Sequence, residues 1–195
     1  NGSDFILGAH QQQLLQKMID NDGRVLGAHY MGTGKTVSAL VAAHMMMKRP
    51  YRAKLTTEQR VSMTPEEIHE FYAANPFDPT KLDKDNPKRV LIVAPLNTVE
   101  QWRQAASDFD DVCRVIGSRS TDIPIKSFEG PNAQQINDGE IVVVGPEYYT
   151  QHADKLKKLG FDGLIIDEVH MGIKNEKAQR NKKVQEWNPD MKMMM

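Results

Sequence analysis

The stretch Ala28-His29-Tyr30-Met31-Gly32-Thr33-Gly34-Lys35-Thr36 holds the residue types of a phosphate cradle. Gly32 and Gly34 let backbone N–H groups close around an anion where a Cβ would interfere. Lys35 is a cation placed to reach β- and γ-phosphates, and the Thr36 hydroxyl is a ligand for Mg²⁺. Met31 and Thr33 complete the turn. The generic pattern G-x-x-x-x-G-K-[ST] asks for glycine where this chain has His29. A second pattern follows downstream, where Leu164-Ile165-Ile166 runs into Asp167-Glu168-Val169-His170. Asp167 is placed to hold Mg²⁺ directly or through water, and Glu168 to orient the water that attacks a γ-phosphate. Adjacent carboxylates are common in a charged chain. Behind an aliphatic run, and paired with a GxGKT turn, they specify a site for ATP and Mg²⁺.

Elements of the right kind flank both patterns. Val25-Leu26-Gly27 reads as a strand before the turn, and Val37, Leu40, Val41, His44 and Met45 share one face of a helix after it. That helix start adds unpaired N–H groups and a positive dipole end, and Pro50 stops the helix. Upstream, Leu14, Leu15, Met18 and Ile19 share a face of a helix over 10–20, with Gln11 one turn before Leu14. Asn21-Asp22-Gly23 then makes a turn. Val90-Leu91-Ile92-Val93-Ala94, ended by Pro95, reads as a buried parallel strand. Thr98 and Gln101 predict a capping box for a helix that turns Val99, Trp102, Ala106 and Phe109 inward. Val112 to Ile116 is a weaker strand and 117–139 is rich in loops. Ile141 to Gly145 is another buried strand, followed by a helix ending near Gly160.

Alternating strands and helices predict an α/β fold, a three-layer sandwich around a mainly parallel sheet. The expected organisation is a single domain over 1–195 with a polar insertion at about 50–88. Five of the ten prolines fall there (Pro50, Pro65, Pro76, Pro79 and Pro87). Its one clear helix start is Thr64-Pro65-Glu66-Glu67, with Ile68, Phe71 and Tyr72 as a modest apolar face. Met193–Met195 stay unassigned.

Composition narrows the function classes. A net charge of −1 means that nucleic-acid binding must come from a local patch rather than the overall field. No run approaches the roughly 20 apolar residues of a membrane span. A single cysteine, Cys113, excludes an internal disulfide and fits a reducing compartment, so the expectation is a cytoplasmic or nuclear protein. The chain begins at Asn1, which reads as a fragment of something longer.

These motifs resemble those of superfamily-two helicases and translocases. Asp167-Glu168-Val169-His170 looks like their DExH box, and Met31-Gly32-Thr33-Gly34-Lys35-Thr36 is similar to the MGxGKT first motif of the Snf-two-like branch. Leu91-Ile92-Val93-Ala94-Pro95-Leu96 with Trp102 is similar to motif Ia. His10-Gln11 resembles the pair whose glutamine reads the adenine edge, a task that suits an amide able to donate and accept at once. The chain departs from the branch at His29-Tyr30, where an acidic pair is usual, and at Gly172, which looks like an extra residue.

The resemblance implies a RecA-like P-loop lobe, the first of two, in a DNA-dependent ATPase. A second lobe from the parent chain would supply arginine fingers and half the nucleic-acid track. It also implies a coupling role for His170 beside the γ-phosphate. Backbone contacts to DNA, duplex in form, are expected from the Pro95–Thr98 segment and the turn after Val144.

Other residues read more plainly. Trp102 belongs to the core, on one helical face with Val99 and Ala106. Lys174, Lys177, Arg180, Lys182 and Lys183 form either a nucleic-acid edge or a solvated helix face, with Glu176 and Glu186 interspersed. His10, His29 and His170 match no zinc spacing. Two rival readings stay open. One is a P-loop ATPase of another class, which nucleotide-driven hexamers would reveal. The other is a truncated lobe that serves as a non-enzymatic nucleotide- or nucleic-acid-binding or inhibitory module, which purified protein that binds no ATP would favour.

Overall fold

The computed structural model describes residues 8–21, 24–26, 34–48, 50–76, 78–82, 86, 88–109, 113–117, 122–167, 186–187, 189 and 191–195. The chain divides into two units, Asn1–Met47 with Pro87–Met195, and Lys48–Asn86. In the first unit the elements run α1 (Ala9–Asp20), β1 (Arg24–Leu26) and α2 (Lys35–Met47). The second unit holds β2 (Pro50–Tyr51), α3 (Thr57–Ser62), α4 (Pro65–Ala74) and β3 (Asp78–Leu82). The first unit resumes with β4 (Val90–Val93), α5 (Val99–Asp108), β5 (Cys113–Ile116), a 3₁₀ turn at Ile125–Phe128, β6 (Ile141–Val144), α6 (Pro146–Lys158), β7 (Gly163–Ile166) and β8 (Met191–Met194).

β4, β6 and β7 are buried at every position. Continuous aliphatic strands of this kind need cover on both faces, which a parallel sheet with crossover helices provides. Six strands align in the order β1-β8-β7-β4-β6-β5, and every pairing is parallel. Side chains alternate between faces along each strand. Val90 and Ile92 of β4 join α1, α2 and α5 through Leu14, Leu15, Met18, Leu40, Met46 and Trp102. Leu91 and Val93 meet the other layer, where Tyr149, Ala153 and Leu156 of α6 pack with Phe128, Phe161 and Trp187. This is the expected three-layer α/β sandwich.

Two local findings differ from the sequence expectation. Thr98 does not cap α5 with its side chain; its backbone is already near-helical (φ −102°, ψ −8°). Its hydroxyl instead donates to the Pro95 carbonyl at 2.9 Å, a closer acceptor supplied by the turn that ends β4. The unassigned methionines form β8, set between β1 and β7. Methionine is not β-branched and sends no strand signal; pairing on both sides decides.

In the second unit, α3 and α4 each start with a reciprocal box. Thr56 and Gln59 exchange side-chain-to-backbone bonds of 3.2 and 2.8 Å, as do Thr64 and Glu67 at 3.2 and 2.7 Å. β2 and β3 pair antiparallel, Pro50 opposite Leu82. The Arg52 guanidinium lies 3.9 Å from the centre of the Tyr72 ring, and Arg60 donates to the Tyr72 hydroxyl.

Candidate functional site at the sheet's C-terminal edge

All six strands are parallel, so they end on one edge, and the chain leaves β1 there before α2 begins. Gly34, the residue before α2, has φ +72°, in the left-handed region that favours glycine. Its surroundings make the same demand. A Cβ there would stand 2.7 Å from the Gln11 amide nitrogen. Gln11, buried in the first turn of α1, accepts from the Gly8 N–H at 2.8 Å and donates to the Gly34 carbonyl at 3.3 Å. The same carbonyl accepts from the Ser38 N–H at 3.0 Å and the Ser38 hydroxyl at 3.1 Å. Three donors thus fix the first carbonyl of the helix. Lys35 and Thr36 follow directly, half-buried, and no acidic side chain lies in the first turn of α2. The positive end of the helix dipole keeps its full attraction for an anion.

Asp167 stands one residue past β7 on the same edge. β8 alone separates β1 from β7, so two strand spacings, about 10 Å, lie between the ends of the two strands. The Asp167 N–H donates to the Val93 carbonyl at 2.9 Å, which keeps its backbone tied to β4. Its carboxylate is buried and its Oδ2 accepts from the indole Nε1–H of Trp102 at 3.2 Å. Among the described residues no group of three His, Cys, Asp or Glu side chains could hold a metal ion. Thr36, with a hydroxyl, and Asp167, with a carboxylate, are oxygen donors carried on this edge.

Of the residues singled out in the sequence, the structure places Gln11 against Gly34, and Lys35, Thr36 and Asp167 on this edge. Met31, Gly32, Thr33, Glu168 and His170 lie outside the described residues, as do His29 and the cations Lys174, Lys177, Arg180, Lys182 and Lys183. The grip of Gln11 on the turn and the bond from Trp102 to Asp167 were not foreseen. The second had a readable signal: a buried indole N–H needs an acceptor, and α5 follows the strand that neighbours β7.

The turns after β4 and β6 also share the edge and touch each other. A Cβ on Gly145 would come within 2.7 Å of Leu96 Cδ2. A cavity of about 340 Å³ beside them is lined in part by Leu96, Tyr148 and His152, with Asp122 and Glu147. Those carboxylates oppose the entry of phosphate into the cavity.

A six-stranded parallel sheet under helices on both faces, with a glycine-turned helix start and an acidic strand tip on one edge, is a RecA-like α/β lobe. The family model described as the SNF2-related domain matches residues 10–195, and the chain belongs to that family. No curated protein matches it. Among solved structures it is similar to the Sulfolobus solfataricus SWI2/SNF2 ATPase core in complex with dsDNA, at 16% identity and a TM-score of 0.57 over 97% of this chain and 31% of that one. The Sulfolobus solfataricus SWI2/SNF2 ATPase core domain gives 14% identity and 0.57 over 100% of this chain and 32% of that one. The chain therefore spans about a third of the length of these structures, and at such identity the likeness is one of fold.

Proposed function

We propose that this lobe binds ATP and Mg²⁺ at the sheet's C-terminal edge, and that its parent protein is a DNA-dependent ATPase of the translocase type. One observation carries the reading: the Gly34 turn opens α2 on the same edge as the buried Asp167. Lys35 meets the β- and γ-phosphates as a charged donor, and the amides of the turn and of the first helical residues cradle them. Gln11 spends one N–H and one oxygen lone pair on the protein. An amide has one more of each, enough for N6 and N7 of adenine. Thr36 and Asp167 are hard oxygen ligands of the kind Mg²⁺ takes. When bound, Mg²⁺ neutralises charge on the phosphate oxygens. Glu168 orients the attacking water, and His170 relays the state of the γ-phosphate. Both roles come from the family pattern.

DNA is the proposed partner, held by its backbone at the turns after β4 and β6. The dsDNA complex of the Sulfolobus solfataricus core supports this choice. A second RecA-like lobe would close over the nucleotide. Lys35→Ala tests the nucleotide reading. The variant loses charge-assisted bonds worth about 1.5–3 kcal/mol of Mg-ATP affinity by calorimetry; an unchanged affinity overturns the assignment.

A further inference from the structure

Trp102 has a place in the site that its burial conceals. Its side chain is 0% exposed and packs with the α1, α2 and α5 layer. A buried indole has one polar atom, a donor, and it must find an acceptor. Here that acceptor is no backbone carbonyl but Asp167 Oδ2, 65 residues away, at 3.2 Å. Both ends of the bond are anchored. The backbone N–H of Trp102 donates to Thr98 O at 3.1 Å and that of Asp167 to Val93 O at 2.9 Å. Val93 and Ile166, each the last residue of its strand, stand in register.

From this geometry we propose that Trp102 is a positioning residue for Asp167, a neutral donor that fixes the plane of the carboxylate held ready for a divalent cation. The inference rests on the nucleotide–Mg²⁺ reading above and adds to it. Tying Oδ2 stops rotation about the Cβ–Cγ bond and so sets the direction of Oδ1. A neutral donor does this without placing a positive charge beside the cation, as lysine or arginine would. Partners of this kind behind a metal ligand are worth about 10–100-fold in metal affinity. The same helix begins at the Pro95–Thr98 turn, so the residue joins the proposed DNA-contact segment to the carboxylate through one rigid element.

The test is the gain in nucleotide affinity that Mg²⁺ confers, measured on the 195-residue chain as the ratio of ADP affinities with Mg²⁺ and with EDTA. Trp102→Phe removes the donor and keeps an aromatic ring. It lowers the Mg²⁺ gain about 10–100-fold and leaves the affinity in EDTA unchanged, which a general packing defect would not do. An undiminished gain in a folded Trp102→Phe protein overturns the proposal. Asp167→Asn separates the two layers. If it keeps the Mg²⁺ gain, the site reading fails and this inference with it. If it loses the gain while Trp102→Phe keeps it, positioning alone is wrong. Should Trp102→Phe not fold, the wild-type indole N–H resonance of Trp102 decides, assigned against Trp187→Phe. It shifts with Mg-ADP and not with ADP in EDTA; no Mg²⁺-specific shift overturns the proposal.

Discussion

The two units of this chain are stabilised on different length scales. In the sheet unit, β4, β6 and β7 are buried at every position, and their partners are distant in sequence. In the Lys48–Asn86 unit, α4 buries no residue at all. Reciprocal caps three residues apart and arginines against the Tyr72 ring do much of the holding there. Cooperative burial makes a rigid frame, whereas local contacts open locally. The proposed site, which would hold a phosphate turn and a carboxylate two strands apart, belongs on the first kind of scaffold.

The largest expected effect concerns what the sheet unit holds and what it leaves out. On the proposed reading, Gly34, Lys35, Thr36, Asp167 and Glu168 would supply a cradle, metal ligands and a water-orienting base. No arginine closely flanks the GKT turn or the acidic pair in sequence. A finger arginine contributes on the order of 10³–10⁵ in rate. The 195 residues alone should therefore bind Mg-ATP yet turn it over that much more slowly than a chain with both lobes. Phosphate release with and without duplex DNA, beside a Glu168→Gln control, measures this. DNA-stimulated turnover of several per second, abolished in the control, would show a complete motor.

Next in size is the frame itself. Ile165, fully buried in β7 next to the acidic tip, should cost about 2–5 kcal/mol on truncation to alanine. Urea unfolding reads the loss, which is a large part of a typical domain's stability. The smallest effect lies in the other unit. Thr64→Ala removes one exposed cap and should cost about 1 kcal/mol, seen as faster amide exchange in α4 with Mg-ATP affinity unchanged. A large affinity change there would break the contrast between the units.

How much was legible in the sequence follows the same division. β4, β6 and β7 could be read because burial on both faces forces unbroken aliphatic runs. α4 could be read because Thr64-Pro65-Glu66-Glu67 states its own cap. β8 could not, since Met191-Lys192-Met193-Met194 has no strand propensity and exists through its neighbours β1 and β7. β2, β3 and α3 were missed in a stretch broken by prolines, where pairing and not pattern decides. At the site, residue types pointed to Gly34, Lys35 and Asp167, which the structure sets on one edge. Gln11 against Gly34, and Trp102 against Asp167, are long-range contacts that one-dimensional spacing does not encode.

The central claim is that nucleotide phosphates sit where Gly34 opens α2, opposite Asp167. Backbone amide resonances of the isotope-labelled chain, followed as Mg-ADP is added, test it most directly. The account predicts that Gly34, Lys35, Thr36 and Asp167 shift together and saturate with one affinity, while resonances of Lys48–Asn86 stay in place. Saturable binding that moves the Lys48–Asn86 resonances and leaves Gly34 to Thr36 unmoved would contradict it.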